Sequence, residues 1–246
     1  MLKLEYKTKN DLEKELYDFW ILFAYHSNKI ENQEIDYHDT REIFDNGKVQ
    51  SFSGDPRTLF EIQNQKECYY YLLDKLEKRE KISIELIKEI HKILTQGTYD
   101  EARYLKGERP GEFKKGDYIV GKSETGSNAE DVEKELKDLL SEIYDNDSDD
   151  YLTIGSYFHL RFEAIHPFAD GNGRVGRTLL NYYFITNSIK PLIIYDEDKK
   201  DYYKCLQAYD ADENIDLMIK FLSYSQDKTW KKKNSQNTKK LISFLM

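Results

Sequence analysis

Twelve consecutive residues combine a titratable base, a carboxylate, a glycine-rich turn and two guanidinium groups. In order they are His166, Pro167, Phe168, Ala169, Asp170, Gly171, Asn172, Gly173, Arg174, Val175, Gly176 and Arg177. An imidazole can take a proton from a hydroxyl, while backbone amides, a metal-binding carboxylate and fixed cations can hold a polyphosphate beside it. The combination predicts a site for phosphate chemistry.

Two helices must position this segment. Apolar residues recur at helical spacing between 151 and 165, and Pro167 cannot continue a helix, so His166 is predicted where that helix ends. A second helix is predicted from 173 to 188, and the turn 171–173 leads into its N-terminus. Free amide groups and the positive end of the helix dipole converge there, which favours an anion.

Individual side chains of the segment suggest separate roles. Asp170 offers a hard oxygen ligand, and a carboxylate beside a polyphosphate is how proteins usually hold Mg²⁺. Asn172 can add a side-chain amide to the anion site, and Arg174 and Arg177 share a helical face where both can bind phosphate oxygens. Phe168 is expected to anchor the loop to the core. Taken singly, such residues are more often caps or parts of ordinary turns.

The segment resembles the signature of the Fic family, His-Pro-Phe-x-(Asp or Glu)-Gly-Asn-Gly-Arg-x-x-Arg, at all nine constrained positions. The resemblance implies an all-α, mainly helical Fic fold with a small β-hairpin flap. It also implies a protein adenylyltransferase, which uses ATP as substrate and Mg²⁺ as cofactor to transfer AMP to a Ser, Thr or Tyr hydroxyl of a target protein and of the chain itself. In that reaction His166 takes the hydroxyl proton, the oxygen attacks the α-phosphate, and pyrophosphate leaves.

The resemblance also assigns the nucleotide-binding residues. Asp170 matches the metal ligand, Arg174 matches the arginine on the β-phosphate side, and Arg177 matches the one that meets the γ-phosphate. The full nucleotide-binding set is Val120, Gly121, Lys122, Ser123, Asp170, Gly171, Asn172, Gly173, Arg174, Val175, Gly176, Arg177, Tyr202, Tyr203 and Asp210.

The last three members of that set follow the motif on a predicted helix at 200–209 or just beyond it. The family places an aromatic pair against the adenosine where this chain has Tyr202 and Tyr203, and a base can stack on such a ring. A packing role is the alternative for each tyrosine. Asp210 falls where some relatives have an Asn near the ribose or base.

Ser27, Glu31 and Asn32 resemble the inhibitory motif of many Fic proteins, which is Ser or Thr, three residues, Glu, then Gly or Asn. The pattern is weak alone, but it lies on a long amphipathic helix predicted at 10–31, where Ser27 and Glu31 share one face. By resemblance Glu31 pairs with Arg177 and excludes the γ-phosphate. A solvated charge at a helix end is the alternative for Glu31.

Helical periodicity disappears between Arg103 and Val132, where a short β-prone run between glycines predicts a hairpin at about 110–128. By resemblance this hairpin is the flap that clamps a hydroxyl-bearing target protein through strand pairing. Val120 to Ser123 would line its nucleotide side. A plain surface hairpin is the alternative.

Length and composition bound the remaining possibilities. A chain of 246 residues, of which 39% are hydrophobic, can bury a proper core. Two cysteines provide neither a disulfide framework nor a metal cluster. No apolar run is long enough to span a membrane and the N-terminus is unlike a signal peptide, so we expect a cytoplasmic protein without a membrane partner. A net charge of −9 argues against general nucleic-acid binding.

The predicted organisation is an N-terminal inhibitory helix and connection at 1–56, a Fic core at 57–225 and a basic C-terminal extension at 226–246. Helices are predicted near 10–31, 57–79, 83–96, 129–145, 151–166, 173–188, 200–209 and 214–232. Two other functions stay open, namely removal of AMP with Glu31 positioning a water, and a toxin-type protein that a partner regulates. The sequence does not identify the target, and it leaves a homo-oligomer open.

Overall fold

The computed structural model describes residues 1–118 and 126–230, which form ten α-helices and one short 3-10 helix. The α-helices are α1 (Lys9–Glu31), α2 (Tyr37–Asn46), α3 (Pro56–Glu77), α4 (Ile84–Thr95), α5 (Glu101–Leu105), α6 (Val132–Tyr144), α7 (Tyr151–Ile165), α8 (Asn172–Thr186), α9 (Lys199–Asp212) and α10 (Asp216–Trp230). The 3-10 helix covers Asp196–Asp198. The expectation of a mainly helical fold is confirmed.

The hairpin predicted at about 110–128 stays a prediction. Residues 119–125, which would form its tip, lie outside the described residues. Across the ranges 1–118 and 126–230, the β-type pairing is a single antiparallel bridge between Lys3 and Ile189. That bridge joins the N-terminus to the segment after α8.

The eight predicted helices are all present, and the connection within residues 1–56 contains a further helix, α2, which was not predicted. Asp36 caps α2 by accepting hydrogen bonds from two backbone amides, and Gly47 ends it with a left-handed φ of 73°. The Asp and Gly signals were therefore visible in the sequence. The five-residue helix α5 was missed as well, since it is too short to show a period.

Helix α8 lies at the centre of the molecule. From Asn172 to Ile185 every residue except Gly173 is buried, so the helix is enclosed on all sides although it carries polar and charged residues. Helix α7 crosses close to it at Gly155, where a β-carbon would lie 2.6 Å from a ring carbon of Phe184. This close contact fixes the two helices that carry the motif relative to each other.

The predicted boundaries at 56 and 225 do not separate units of the fold. Buried residues of α1, such as Leu16 and Trp20, belong to the same hydrophobic core as those of α8. The boundary at 225 falls inside α10, which continues to Trp230. Within the described residues, no helix combines the length and apolar character that crossing a membrane requires.

Gly155→Ala should reduce the free energy of unfolding by about 1–3 kcal/mol, because the added methyl group collides with the buried ring of Phe184. Helix propensity alone would favour alanine by roughly 0.5–1 kcal/mol, so the sign of the change separates the steric effect from propensity. Urea unfolding measures this free energy. An unchanged or increased stability would show that α7 and α8 are not in tight contact there.

Candidate active site

His166 lies at the end of α7, as predicted. Its backbone is left-handed, with φ 51° and ψ 63°, and its N–H donates to the carbonyl of Phe162 at 3.1 Å. A positive φ is rare for a residue with a side chain, and such strain persists where the surroundings hold it. Pro167 follows and prevents another helical turn. The backbone therefore turns sharply at the candidate base.

The loop after His166 is anchored by two side chains. Phe168 is fully buried and stacks on the His91 ring with 3.7 Å between ring centroids. The side chain of Asn172 accepts from the Phe168 N–H at 2.9 Å and donates to the Phe168 carbonyl at 2.8 Å. The anchoring role of Phe168 is confirmed. The amide of Asn172, expected to point at an anion, instead closes this loop.

The turn into α8 has the geometry expected of an anion site. Gly171 caps the helix with φ 83°, a conformation that favours glycine. A β-carbon on Gly173 would lie 2.6 Å from Glu31 Oε1 and 2.8 Å from Arg177 Nη1. The missing side chain at this position therefore lets a carboxylate approach the N-terminus of α8.

Arg177 is held by the predicted inhibitory residues. Its Nη2 donates to Glu31 Oε1 at 2.7 Å and to the Ser27 carbonyl at 2.9 Å, while its Nε donates to Ser27 Oγ at 3.1 Å. The arginine side chain is 2% exposed and that of Glu31 is 36% exposed. The expected pairing of Glu31 with Arg177 is present. Asn32, the third predicted residue, contacts Glu61 instead of this arginine.

Arg174 has a carboxylate partner that the sequence did not reveal. Its Nη1 lies 3.4 Å from Glu61 Oε1, and its Nη2 lies 3.8 Å from Asp170 Oδ1. Arg57 and Arg103 also reach Asp170, at 3.2 Å and 3.4 Å from Oδ2. The spacing of Arg57 and Glu61 on one helix predicts a local pair, but not that this pair faces the motif.

Asp170 is ionised in this setting. Burial alone would raise its pKa, but Arg174, Arg103 and Arg57 hold the pKa below its usual value. Its Oδ1 also accepts the Gly171 N–H at 2.7 Å. The carboxylate is thus a hard anionic oxygen donor, surrounded by cations, beside the anion turn.

His166 is neutral at physiological pH. Burial and, to a smaller extent, the nearby ammonium of Lys114 lower its pKa to about 4. Lys114 is itself 3% exposed, and its backbone N–H donates to the Pro167 carbonyl at 2.9 Å. A neutral imidazole is the form that can accept a proton.

A cavity of about 750 Å³ opens beside these residues. It is bordered by His166, Gly173 and Arg177 from the motif, by Glu31, and by the α9 side chains Tyr202, Tyr203, Leu206 and Asp210. The structure therefore brings the predicted base, the anion turn and the predicted adenosine residues to one cavity. Its volume suits a ligand of nucleotide size.

The two tyrosines differ in their exposure to this cavity. Tyr202 is 1% exposed, and its hydroxyl lies 2.9 Å from His159 Nε2, so much of its role is packing. Tyr203 is half-buried and Asp210 is exposed. Tyr203 is therefore the ring better placed to stack on a ligand.

Six of the predicted nucleotide residues in the described part of the chain do not border this cavity, namely Asp170, Gly171, Asn172, Arg174, Val175 and Gly176. Val175 is fully buried, and its N–H bonds the Gly171 carbonyl. Gly176 packs against Glu163 and Phe162 of α7. The predicted flap residues Val120, Gly121, Lys122 and Ser123 lie outside the described residues. At either side of them, Lys114 and Ser127 bond the backbone next to His166.

Glu163 is a cavity residue that sequence reasoning missed. The residue borders the cavity, and its buried Oε1 has no hydrogen-bond partner within the described residues. Burial raises its pKa to about 7, and Arg177 opposes this shift. A position three residues before His166 on a predicted helix was the available signal.

Comparisons with known proteins agree with this geometry. The family model described as Fic/DOC family matches residues 81–184. The protein adenylyltransferase fic-1 of Caenorhabditis elegans is 28% identical over 206 residues, covering 80% of this chain and 38% of that protein. The protein adenylyltransferase Fic of Nematostella vectensis is 27% identical over 225 residues, covering 89% and 49%. The chain spans less than half the length of these curated relatives.

Solved structures show the same fold. A Fic domain containing signaling protein from Bacteroides thetaiotaomicron superposes with a TM-score of 0.77 at 20% identity, covering 89% of this chain and 87% of that one. Fic-1 from C. elegans superposes with a TM-score of 0.75 at 22% identity, covering 99% and 68%. With the complete motif and the family match, the chain carries a Fic domain.

The imidazole of His166 should not titrate between pH 8 and pH 5, because burial and Lys114 lower its pKa to about 4. An ordinary histidine titrates near 6.5. NMR detection of the imidazole protons, assigned with His166→Ala, measures this directly. A midpoint near 6.5 would contradict the buried environment described above.

Glu163→Gln should change how stability depends on pH. Glu163 has a folded pKa of about 7 and an unfolded value of about 4.5, so the folded state keeps a proton that the unfolded state loses between these values. Wild-type stability therefore falls as pH rises through this window, by roughly 3 kcal/mol for this group. The variant should lack this fall.

The measurement is the free energy of unfolding from urea titrations at pH 4.5 and pH 8. Glu34→Gln, which changes an exposed carboxylate, serves as the control and should follow wild type. Parallel curves for Glu163→Gln and wild type would refute the raised pKa.

Proposed function

We propose that this chain is a self-inhibited protein adenylyltransferase that transfers AMP from ATP to a hydroxyl side chain. The observation that carries the proposal is the common cavity of His166, Gly173 and Arg177, with the Glu31 carboxylate 2.7 Å from Arg177. The curated relatives bear the same activity in their names. The acceptor is a Ser, Thr or Tyr of a target protein docked at segment 110–128, and also of the chain itself.

The transfer step needs a base, an electrophile and a leaving group. His166 accepts the proton of the hydroxyl, and the oxygen forms a bond to the α-phosphorus. The bond from that phosphorus to the bridging oxygen breaks, and pyrophosphate leaves with the electron pair. The neutral state of His166 supports this role, since a protonated imidazole could not act as base.

The polyphosphate is held by the N-terminus of α8 and its arginines. The backbone N–H groups of the first turn of α8, which begins at Asn172, lie at the positive end of the helix dipole. By resemblance to the family signature, Arg177 is assigned to the γ-phosphate and Arg174 to the β-phosphate. The base stacks on Tyr203, which borders the same cavity.

Asp170 fits the role of a magnesium ligand. It is an ionised hard-oxygen donor beside the anion turn, and Mg²⁺ needs only one or two carboxylates when phosphates and water complete its shell. When bound with ATP, Mg²⁺ supplies neutralisation of the polyphosphate charge. Arg57 and Arg103, which contact Asp170 Oδ2, would release it for this purpose.

Self-inhibition follows from competition for Arg177. Glu31 occupies a donor that the γ-phosphate requires, and its negative charge repels the phosphate. Ser27 binds the Nε side of the same guanidinium, so both ends of the fork are engaged. ATP that binds with Glu31 in place would have its α-phosphate displaced from His166.

Removal of AMP from a modified protein is the second candidate. The side chain of Glu31 is 36% exposed and borders the same cavity as His166. A carboxylate there can orient a water molecule toward a phosphodiester. This activity would need Glu31, whereas AMP transfer is limited by it.

Glu31→Gly should raise AMP transfer about a hundredfold, which corresponds to a bias of roughly 3 kcal/mol by the Glu31–Arg177 pair. Adding His166→Ala should abolish the gain, because the base is lost. Transfer of label from α-labelled ATP to the protein and to a cell lysate measures both effects.

Glu34→Gly is the matched control, since it removes an exposed carboxylate three residues further on. It should leave transfer at the wild-type level. A Glu31→Gly protein with unchanged transfer would refute the inhibitory role. If that variant instead loses release of AMP from labelled protein, the second candidate is favoured.

A further inference from the structure

Glu61 joins three segments that are far apart in the chain. Its side chain is 3% exposed and accepts from Arg57 Nε at 3.0 Å. Arg174 Nη1 lies 3.4 Å from the same oxygen, Oε1, while Oε2 accepts from Asn32 Nδ2 at 2.9 Å. The carboxylate thus connects the end of α1, the first turns of α3 and the first turn of α8.

The contact with Glu61 divides the donors of Arg174 into two sets. Nη1 faces Glu61, whereas Nε has no hydrogen-bond partner within residues 1–118 and 126–230. Arg174 Nη2 lies 3.8 Å from Asp170 Oδ1. A planar guanidinium fixed at one end presents its remaining donors in one direction, so they can take phosphate oxygens as a fork.

Glu61 is itself held too firmly to act as a mobile side chain. Its Oε1 contacts Arg57 and Arg174, and its Oε2 accepts from Asn32. Two of these partners are cations, so a buried carboxylate is compensated in charge. Rotation of Glu61 would leave Arg174, which is 2% exposed, without its closest counter-charge.

We propose that Glu61 is a positioning residue for the transfer reaction. It fixes the guanidinium of Arg174 so that the Nε side faces the phosphates that leave as pyrophosphate. This inference rests on the proposed function, which gives Arg174 that ligand. Glu61 touches neither the hydroxyl nor the α-phosphate, and it acts through Arg174 alone.

Asn32 extends this arrangement to the inhibitory helix. It directly follows Glu31 and bonds Glu61 Oε2, so the end of α1 is tied to the carboxylate that orients Arg174. The two buried arginines of α8 are therefore each held from the same end of α1, one directly and one through Glu61. Loss of the Asn32 bond should loosen the position of Glu61 without removing its charge.

The test compares Glu61→Gln with its parent in a Glu31→Gly, His166→Ala background, where nucleotide is bound but not transferred. Calorimetric titration uses Mg-ATP, Mg-pyrophosphate and AMP as separate probes. We expect about tenfold weaker binding of ATP and pyrophosphate, and AMP binding within twofold of the parent. In the Glu31→Gly protein with His166 intact, Glu61→Gln should raise KM for ATP by a similar factor.

Two further variants keep the test independent of folding. Gln65→Leu lies one turn along α3 and removes a buried bond to Asn28 on α1 without contacting Arg174, so all three affinities should stay at the parent value. Asn32→Ala should weaken the binding of ATP and of pyrophosphate by a smaller factor than Glu61→Gln does. If Glu61→Gln does not fold, Asn32→Ala still tests whether Glu61 positions Arg174.

If Glu61→Gln weakened the binding of all three probes equally, the proposal would be overturned, because this would indicate a general loss of structure. Tighter ATP binding or faster transfer in Glu61→Gln would also overturn it, since Glu61 would then compete with the nucleotide. Weakened pyrophosphate binding in a protein that does not bind ATP would refute the proposed function and still support the role of Glu61. If pyrophosphate does not bind the parent, both are refuted.

Discussion

Burial of two guanidinium groups on α8 is the constraint on which the rest of the structure depends. Arg174 and Arg177 are each 2% exposed, and an uncompensated buried charge would cost several kcal/mol. The chain supplies counter-charges from outside the motif, namely Glu61 on α3 and Glu31 on α1. The N-terminal helices therefore pack against α8 partly because its arginines require them.

The carboxylates that compensate these buried arginines in the fold are also competitors of an anionic ligand. A polyphosphate can replace a carboxylate at Arg177 because both are anions that accept from a planar fork. Glu31 is partly exposed and can move into solvent when another anion takes its place, whereas Glu61 is buried and cannot. One arginine is thus exchangeable and the other is permanently oriented. Glu31 is more exposed than Glu61 because Glu31 is the last residue of α1, whereas Glu61 lies inside α3.

Much of the fold and part of the site could be predicted from the sequence. The eight longer helices follow from periodicity. The contact of Glu31 with Arg177 follows from the resemblance of Ser27, Glu31 and Asn32 to the inhibitory motif of Fic proteins. The Glu61–Arg174 contact could not be found in this way, because 113 positions separate the two residues and neither has a local signal. Asn172 was misjudged because a side-chain amide serves a loop as readily as an anion.

Burial shifts the pKa values of two cavity residues, His166 and Glu163, in opposite directions. It disfavours the charged form of each, which lowers the pKa of His166 to about 4 and raises that of Glu163 to about 7. Asp170 experiences the same penalty, yet three guanidinium groups keep it ionised. The site therefore holds a neutral base beside a charged carboxylate within a few residues. Arg174 of the motif opposes the burial of Asp170 most strongly, and Arg103 on α5 and Arg57 on α3 add to its effect.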